Sequence, residues 1–168
     1  MNITLTGMMG SGKTTVGIEL EKALKGFSLV DVDSQIVERN GLSIPAIFEK
    51  FGEKYFREEE TRVIEEILEK DNLIISTGGG AFENPANRKL LLEKSRVIYL
   101  KTSPKVIFER IKHETHRPLL GKDFSTEKIS AIIEKRRANY ELAHLTIDTD
   151  FKSPYNIVTE IIECLNCA

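Results

Sequence analysis

The chain has 168 residues, 40% hydrophobic and 30% charged, with 24 Lys plus Arg against 26 Asp plus Glu. This length and balance fit one domain, 1–168, with enough apolar material for a core. A net charge of −2 offers no basic excess for nucleic acid or an anionic membrane, no run approaches the roughly 18 apolar residues of a membrane span, and no secretory pattern opens the sequence, so a cytoplasmic location is expected.

Apolar β-type runs alternate with helical patterns along the chain. Ile3 to Thr6 reads as a short strand. Thr14 to Lys25 reads as a helix with Val16, Leu20, Ala23 and Leu24 on one face. Phe27 to Val32 is the second strand, followed by two helices near Ser34 to Arg39 and Ser43 to Phe51. The longest helix runs from about Lys54 to Lys70, with Val63, Ile64, Ile67 and Leu68 as its stripe. Leu73 to Ser76 is the third strand and Val97 to Leu100 the fourth. A helix follows Pro104, since proline suits a first turn. Residues 113–124 carry His116, Arg117, Pro118 and Gly121 without periodicity and read as a loop. A helix from about Ser125 to Leu142, a fifth strand at Leu145 to Asp148 and a helix from Pro154 complete the chain. The alternation predicts a parallel α/β sheet covered by helices on both faces. Cys164 and Cys167 fall on the terminal helix, where they read as two inert thiols, since no second Cys/His cluster completes a zinc site.

Gly7-Met8-Met9-Gly10-Ser11-Gly12-Lys13-Thr14 matches G-x-x-x-x-G-K-[ST] and sits between a strand and a helix. Glycines let the backbone wrap so that several N–H groups face one phosphate. The helix adds the positive end of its dipole. Lys13 is expected to reach the β- and γ-phosphates of a nucleotide, and the Thr14 hydroxyl to ligate Mg²⁺. The N-K-x-D and D-x-x-G motifs of a GTPase are absent. The chain is too short for a large ATPase machine, and its third strand runs into Ser76-Thr77-Gly78-Gly79-Gly80 rather than Asp-Glu. A small-molecule kinase remains.

Asp31 and Asp33 are expected to end the second strand, at the sheet edge where ligands bind in open parallel sheets. One would hold the metal's hydration shell and the other would orient the attacking hydroxyl; alternatively they cap a turn. Gly78 to Gly80 allow close backbone approach to a ligand. Arg57, Arg110, Arg117 and Arg136-Arg137 could neutralise phosphates and a substrate carboxylate with bidentate geometry. Arg117 lies in the natural lid, which would exclude water. Glu58-Glu59-Glu60 reads as a solvated first turn of helix, and His113, His116 and His144 form no constellation.

With these motifs in hand, the chain resembles the shikimate kinase family over nearly its whole length. The resemblance rests on G-M-M-G-S-G-K-T at 7–14, D-V-D at 31–33, G-L-S-I-P-A-I-F at 41–48, G-E-K-Y-F-R at 52–57, S-T-G-G-G at 76–80, R-P-L-L at 117–120 and R-R-A-N-Y at 136–140. It implies a five-stranded parallel sheet of order 2-3-1-4-5, similar to nucleoside monophosphate kinases, with a lid at about 113–124 and acceptor-binding helices at about 34–62. It implies MgATP-dependent phosphorylation of the 3-hydroxyl of shikimate, in the route to chorismate; the expected partners are the small molecules alone, with no nucleic acid or membrane, as the charge and hydropathy above indicate, and the chain is expected to be a monomer. ATP would be bound by Gly10, Ser11, Gly12, Lys13, Thr14, Thr15, Arg110 and Arg117, with Asp31 in the metal's outer sphere. Asp33 would hold the shikimate hydroxyls and serve as base. Arg57 and Arg136 would clamp the carboxylate, and Gly78, Gly79 and Gly80 would support the ring. Lys13, Asp33 and Arg117 would be the catalytic groups. The family often has proline two or three residues after the clamp arginine, where this chain has Ala138-Asn139. The choice between Arg136 and Arg137 rests on Arg136 lying four residues before Tyr140.

Overall fold

A computed structural model describes residues 1–112 and 125–167. The expected lid, and Arg117 with it, lies outside the described residues. Five strands, β1 (Asn2–Thr6), β2 (Ser28–Asp31), β3 (Leu73–Ser76), β4 (Ser95–Lys101) and β5 (Leu145–Asp148), form one sheet of order β2-β3-β1-β4-β5. Every pairing is parallel. This is the order implied by the resemblance.

Parallel neighbours need crossovers, and helices supply them. They are α1 (Lys13–Ala23), α2 (Val32–Asn40), α3 (Ile44–Ile67), α4 (Pro85–Lys94), α5 (Pro104–Ile111), α6 (Thr126–Tyr140) and α7 (Pro154–Asn166). Alternate residues of the strands feed opposite faces. Ile3, Leu5, Ile74, Ile98 and Leu100 pack with Val16 and Leu20 of α1 and Ile157 and Ile161 of α7. Leu73, Ile75, Val97 and Tyr99 pack on the other face with Ile36, Phe56, Val63, Ile64 and Leu91. A smaller cluster joins Met8 and Met9 to Ile107, Ile111 and Ile129, and so seats α5 and α6 beside the phosphate loop.

Helix starts follow their cap chemistry. Ser43, Asn84, Ser103 and Ser153 each accept a backbone N–H through the side chain, each with proline in the first helical positions. α3 is broken at Gly52, whose φ of 81° leaves the helical region, so the two helices expected over 43–70 are separate arms. Residues 85–94, where the sequence predicts no element, form α4. Its buried residues are only Asn87 and Leu91, too few to write a helical stripe.

His144 joins the last two strands: its Nδ1 accepts the Val97 N–H at 2.9 Å, which requires an unprotonated nitrogen. Burial and the nearby Arg96 charge hold its pKa below the usual histidine value. The contribution is therefore complete above the unfolded value of about 6.5 and is lost as pH falls toward the lower folded value. We expect the stability of wild type relative to His144→Asn, whose amide oxygen can still accept, to decline between pH 7 and 5, as measured by thermal melts of both across that range.

Candidate active site

The phosphate loop leaves β1 and enters α1 with little freedom. Gly10 has φ 75°, and a Cβ there would lie 2.7 Å from Ile111 Cγ2; only glycine fits both the conformation and the space. Lys13 opens α1, and its Nζ donates to the carbonyls of Gly7 (2.9 Å) and Met8 (3.0 Å). Thr14 and Thr15 are exposed at the same helix start. A cavity of about 330 Å³ faces them, lined also by Asp31, Asp33, Thr77, Gly78, Gly79 and Arg110. Arg110 reaches over from α5 and donates to Gly10 O at 3.2 Å. Ser11 does not line this cavity. It is buried behind the loop, and its N–H donates to Met8 O at 3.1 Å.

Asp31 and Asp33 are not both strand residues. β2 ends at Asp31, and α2 begins at Val32. Asp31 is the N-cap, its Oδ1 accepting Ser34 N–H at 2.9 Å, so Asp33 belongs to the first helical turn. The cap ends the strand one residue earlier than expected, because it satisfies an N–H that a helix start leaves bare. Asp33 lies against the glycine turn: a Cβ on Gly78 would fall 2.8 Å from Asp33 Oδ1 and 3.2 Å from Glu60 Oε1. A side chain there would push both carboxylates away.

Of Glu58-Glu59-Glu60, read as solvated, Glu58 is exposed, but the other two are corrected by the structure. Glu59 and Glu60 are buried, Glu60 completely. The arm begins at the Gly52 break, so these residues sit in its second turn, where each meets an arginine. Glu59 binds Arg62 at 2.6 Å and lies 4.0 Å from Arg39. Glu60 receives Arg57 Nη1 on both oxygens, at 3.0 and 3.2 Å. Burial pushes Glu60 up to about 7, against the pull of the Arg57 guanidinium. The Arg57 guanidinium also stands over the turn, within 3.0 Å of where a Gly80 Cβ would be.

α6 closes the other side. Arg136 Nη1 donates to Gly79 O at 2.8 Å, and Tyr140 Oη donates to the same oxygen at 2.6 Å. Arg137 turns away and pairs with Glu134 at 2.7 Å. A second cavity of about 500 Å³ is lined by Arg57, Arg136, Gly80, Glu53 and Glu83, with Met9 shared with the first. The structure therefore brings Asp33, Arg57, Arg136 and Gly78–Gly80 together beside Lys13 and Thr14. Glu60, Met9 and Tyr140 are the members that sequence reasoning missed. The one available signal for Glu60 was its i, i+3 spacing from Arg57.

A parallel 2-3-1-4-5 sheet with this phosphate loop, and an arginine-flanked cleft beside it, defines a P-loop kinase of small molecules. The family model described as shikimate kinase matches residues 9–166. A shikimate kinase of Persephonella marina is 45% identical over 161 residues, 96% of each chain. The structure of shikimate kinase from Acinetobacter baumannii in complex with shikimate superposes with a TM-score of 0.93 at 36% identity, covering 99% of this chain and 93% of that one. This chain belongs to the shikimate kinase family. A gluconokinase from Sinorhizobium meliloti, at 19% identity and a TM-score of 0.62, shares the fold.

Glu60 provides a pH test of the site. Its folded pKa lies above the ordinary 4.5, so the fold favours the protonated form, and this contribution is present below about 4.5 and lost as pH rises to about 7. Glu60→Gln keeps the shape without the titration. Its stability relative to wild type should rise between pH 4.5 and 7, as read from denaturant midpoints; a constant difference would place the charge elsewhere.

Proposed function

We propose that this chain transfers the γ-phosphoryl group of ATP to the 3-hydroxyl of shikimate, giving shikimate 3-phosphate and ADP, a step toward chorismate and the aromatic amino acids. The observation that carries the proposal is the pair of guanidiniums from two different helices, Arg57 and Arg136, set over one glycine turn beside Asp33 and next to the phosphate loop. A small acid with several hydroxyls matches that arrangement: planar guanidiniums grip a carboxylate through parallel hydrogen bonds, and Asp33 accepts from hydroxyls.

On this reading the phosphate chain of ATP lies along the Gly10–Thr15 backbone, with Arg110 against the base. The ammonium of Lys13, held by two loop carbonyls, turns to the transferred phosphate and stabilises the charge developing on it. The acceptor 3-hydroxyl attacks the γ-phosphorus. A new P–O bond forms, the bond to the β-phosphate oxygen breaks, and the hydroxyl proton passes toward Asp33. Arg117, the expected lid arginine, completes the charge neutralisation. Arg136 is the clamp in preference to Arg137, because Arg137 is engaged by Glu134 outside the cleft.

Mg²⁺ fits the donor set. The Thr14 hydroxyl and the carboxylates of Asp31 and Asp33 line one cavity, and among the described residues no three His, Cys, Asp or Glu side chains form an all-protein cage. Oxygen ligands, few protein groups and substrate phosphates are how Mg²⁺ is ordinarily held. Thr14 would ligate it and Asp31 would hold its water; bound there, it would screen the β- and γ-phosphate charge. Among the described residues no helix is long and apolar enough to cross a membrane. We further propose that the enzyme works as a cytoplasmic monomer.

ADP release, followed by a coupled assay with a panel of hydroxy acids, tests the proposal. Shikimate with Mg²⁺ should support turnover and gluconate should not. Asp33→Asn should lower turnover by at least about 100-fold, the scale of a lost acid–base group, with ATP binding nearly intact. Turnover with gluconate alone would overturn the substrate assignment, and collapse of ATP affinity in Asp33→Asn would make Asp33 a phosphate or metal residue.

A further inference from the structure

The Gly79 carbonyl is held from one side by two donors of the same helix. Arg136 Nη1 and Tyr140 Oη lie one turn apart on α6 and reach it at 2.8 and 2.6 Å. A carbonyl oxygen has two lone pairs, so this acceptor is filled. We propose that Tyr140 is a positioning residue for phosphoryl transfer: its buried hydroxyl fixes the Gly79 peptide, and through it sets both the aim of the Arg136 guanidinium and the spacing between the acceptor turn and the phosphate loop. The proposal rests on the acceptor assignment made above.

Three observations support it. First, Gly79 touches both halves of the site. A Cβ on it would lie 3.2 Å from Met9 N, 3.6 Å from Gly7 O and 3.7 Å from Arg136 Nη1. A shift of this peptide therefore moves the turn against the phosphate loop and against the clamp at once. Second, Tyr140 is itself immobilised. It is fully buried, and its ring stacks on Tyr99 of β4 with centroids 4.8 Å apart and planes at 19°. β4 pairs directly with β1, which leads into the phosphate loop, so the hydroxyl is referenced to the sheet and not to a surface helix. Burial also raises the Tyr140 pKa, which keeps the phenol a donor. Third, α6 is pinned a second time beside it, Asn139 Nδ2 donating to Glu83 Oε1 at 3.1 Å. Arg136 spends one of its five N–H donors on Gly79 O. The rest of its planar fork is oriented by that bond, and the carbonyl's own position is set by Tyr140.

Tyr140→Phe removes the oxygen and keeps the ring. Gly79 O retains Arg136, so no carbonyl is left bare. The expected result is a fall in kcat/KM for shikimate of about 5- to 10-fold, the size of one neutral hydrogen bond. KM for ATP should stay within about twofold, since no nucleotide contact is altered. Tyr99→Phe, which keeps the ring stacked on Tyr140 and alters no bond to Gly79 O, should leave both values unchanged. In an Arg136→Lys background, Tyr140→Phe should add less than about a twofold further loss, because the two act through one carbonyl. Unchanged shikimate kinetics in Tyr140→Phe, or fully additive losses with Arg136→Lys, would overturn the inference. So would parallel loss of folded protein, ATP use and shikimate use, which would make Tyr140 a packing residue only. Absence of wild-type turnover with shikimate would instead overturn the proposed function.

Discussion

The site depends on the close approach of two backbone segments that leave adjacent strands at the same end of the sheet. β1 runs into the phosphate loop and β3 into the glycine turn, and their pairing aligns Leu5 with Ser76. The ladder is carried one step beyond the strands, where Leu5 O accepts both the N–H and the hydroxyl of Thr77, at 3.2 and 3.0 Å. The turn then runs so near the loop that a Cβ on Gly79 would lie 3.2 Å from Met9 N. A nucleotide phosphate and an acceptor hydroxyl need to lie about 3–3.5 Å apart for transfer. Two strand neighbours ending at one edge bring the loop and the turn together without any side chain having to span the gap.

Charge is arranged around this contact in layers. Lys13 and the start of α1 line the cavity at the phosphate loop. Arg57 and Arg136 stand over the glycine turn, with Asp33 at its start and Glu60 buried behind. A buried carboxylate alone would be strongly disfavoured; Glu60 is retained through its two contacts with Arg57. The same bonds stop the arginine from ranging over the surface, as an unpaired long side chain would. Gly78 marks how tightly this is packed, since one extra carbon would touch Asp33 and Glu60 together. The arginine-lined cleft is thus built from helices and a turn, scaffolds that hold side-chain geometry more exactly than loops do.

What could be read from the chain was local or strongly patterned. The phosphate loop is a contiguous motif, and the strands are apolar runs, so the five strands and the arms on either side of Gly52 were legible, while the order 2-3-1-4-5 came only with the family resemblance. α4 was not, because only Asn87 and Leu91 turn inward and three consecutive leucines blur the stripe. The start of α2 was misplaced by two residues because an aspartate serves equally as strand end or cap, and only the Ser34 contact distinguishes them. Glu60 was the largest miss: three consecutive glutamates look like solvent-facing charge, and which of them turn inward is set by partners on other elements, Arg39 and the glycine turn, that no local pattern shows. Tyr140 was visible only as a spacing marker for Arg136. Its partner, Gly79, is 61 residues away, and no local pattern connects them.

If the contact between turn and loop sets the distance for transfer, enlarging Gly79 by one methyl group should separate acceptor from nucleotide while leaving each subsite formed. Gly79→Ala places a carbon 3.2 Å from a backbone nitrogen that cannot rotate away. The decisive measurement is shikimate-dependent ADP release by Gly79→Ala at saturating substrates, together with calorimetric binding of an ATP analogue. The account predicts turnover lower by about 3- to 10-fold, a part of the roughly 100-fold that a 1 Å misplacement costs, with analogue affinity within about twofold of wild type. Turnover equal to wild type in a folded variant would contradict it.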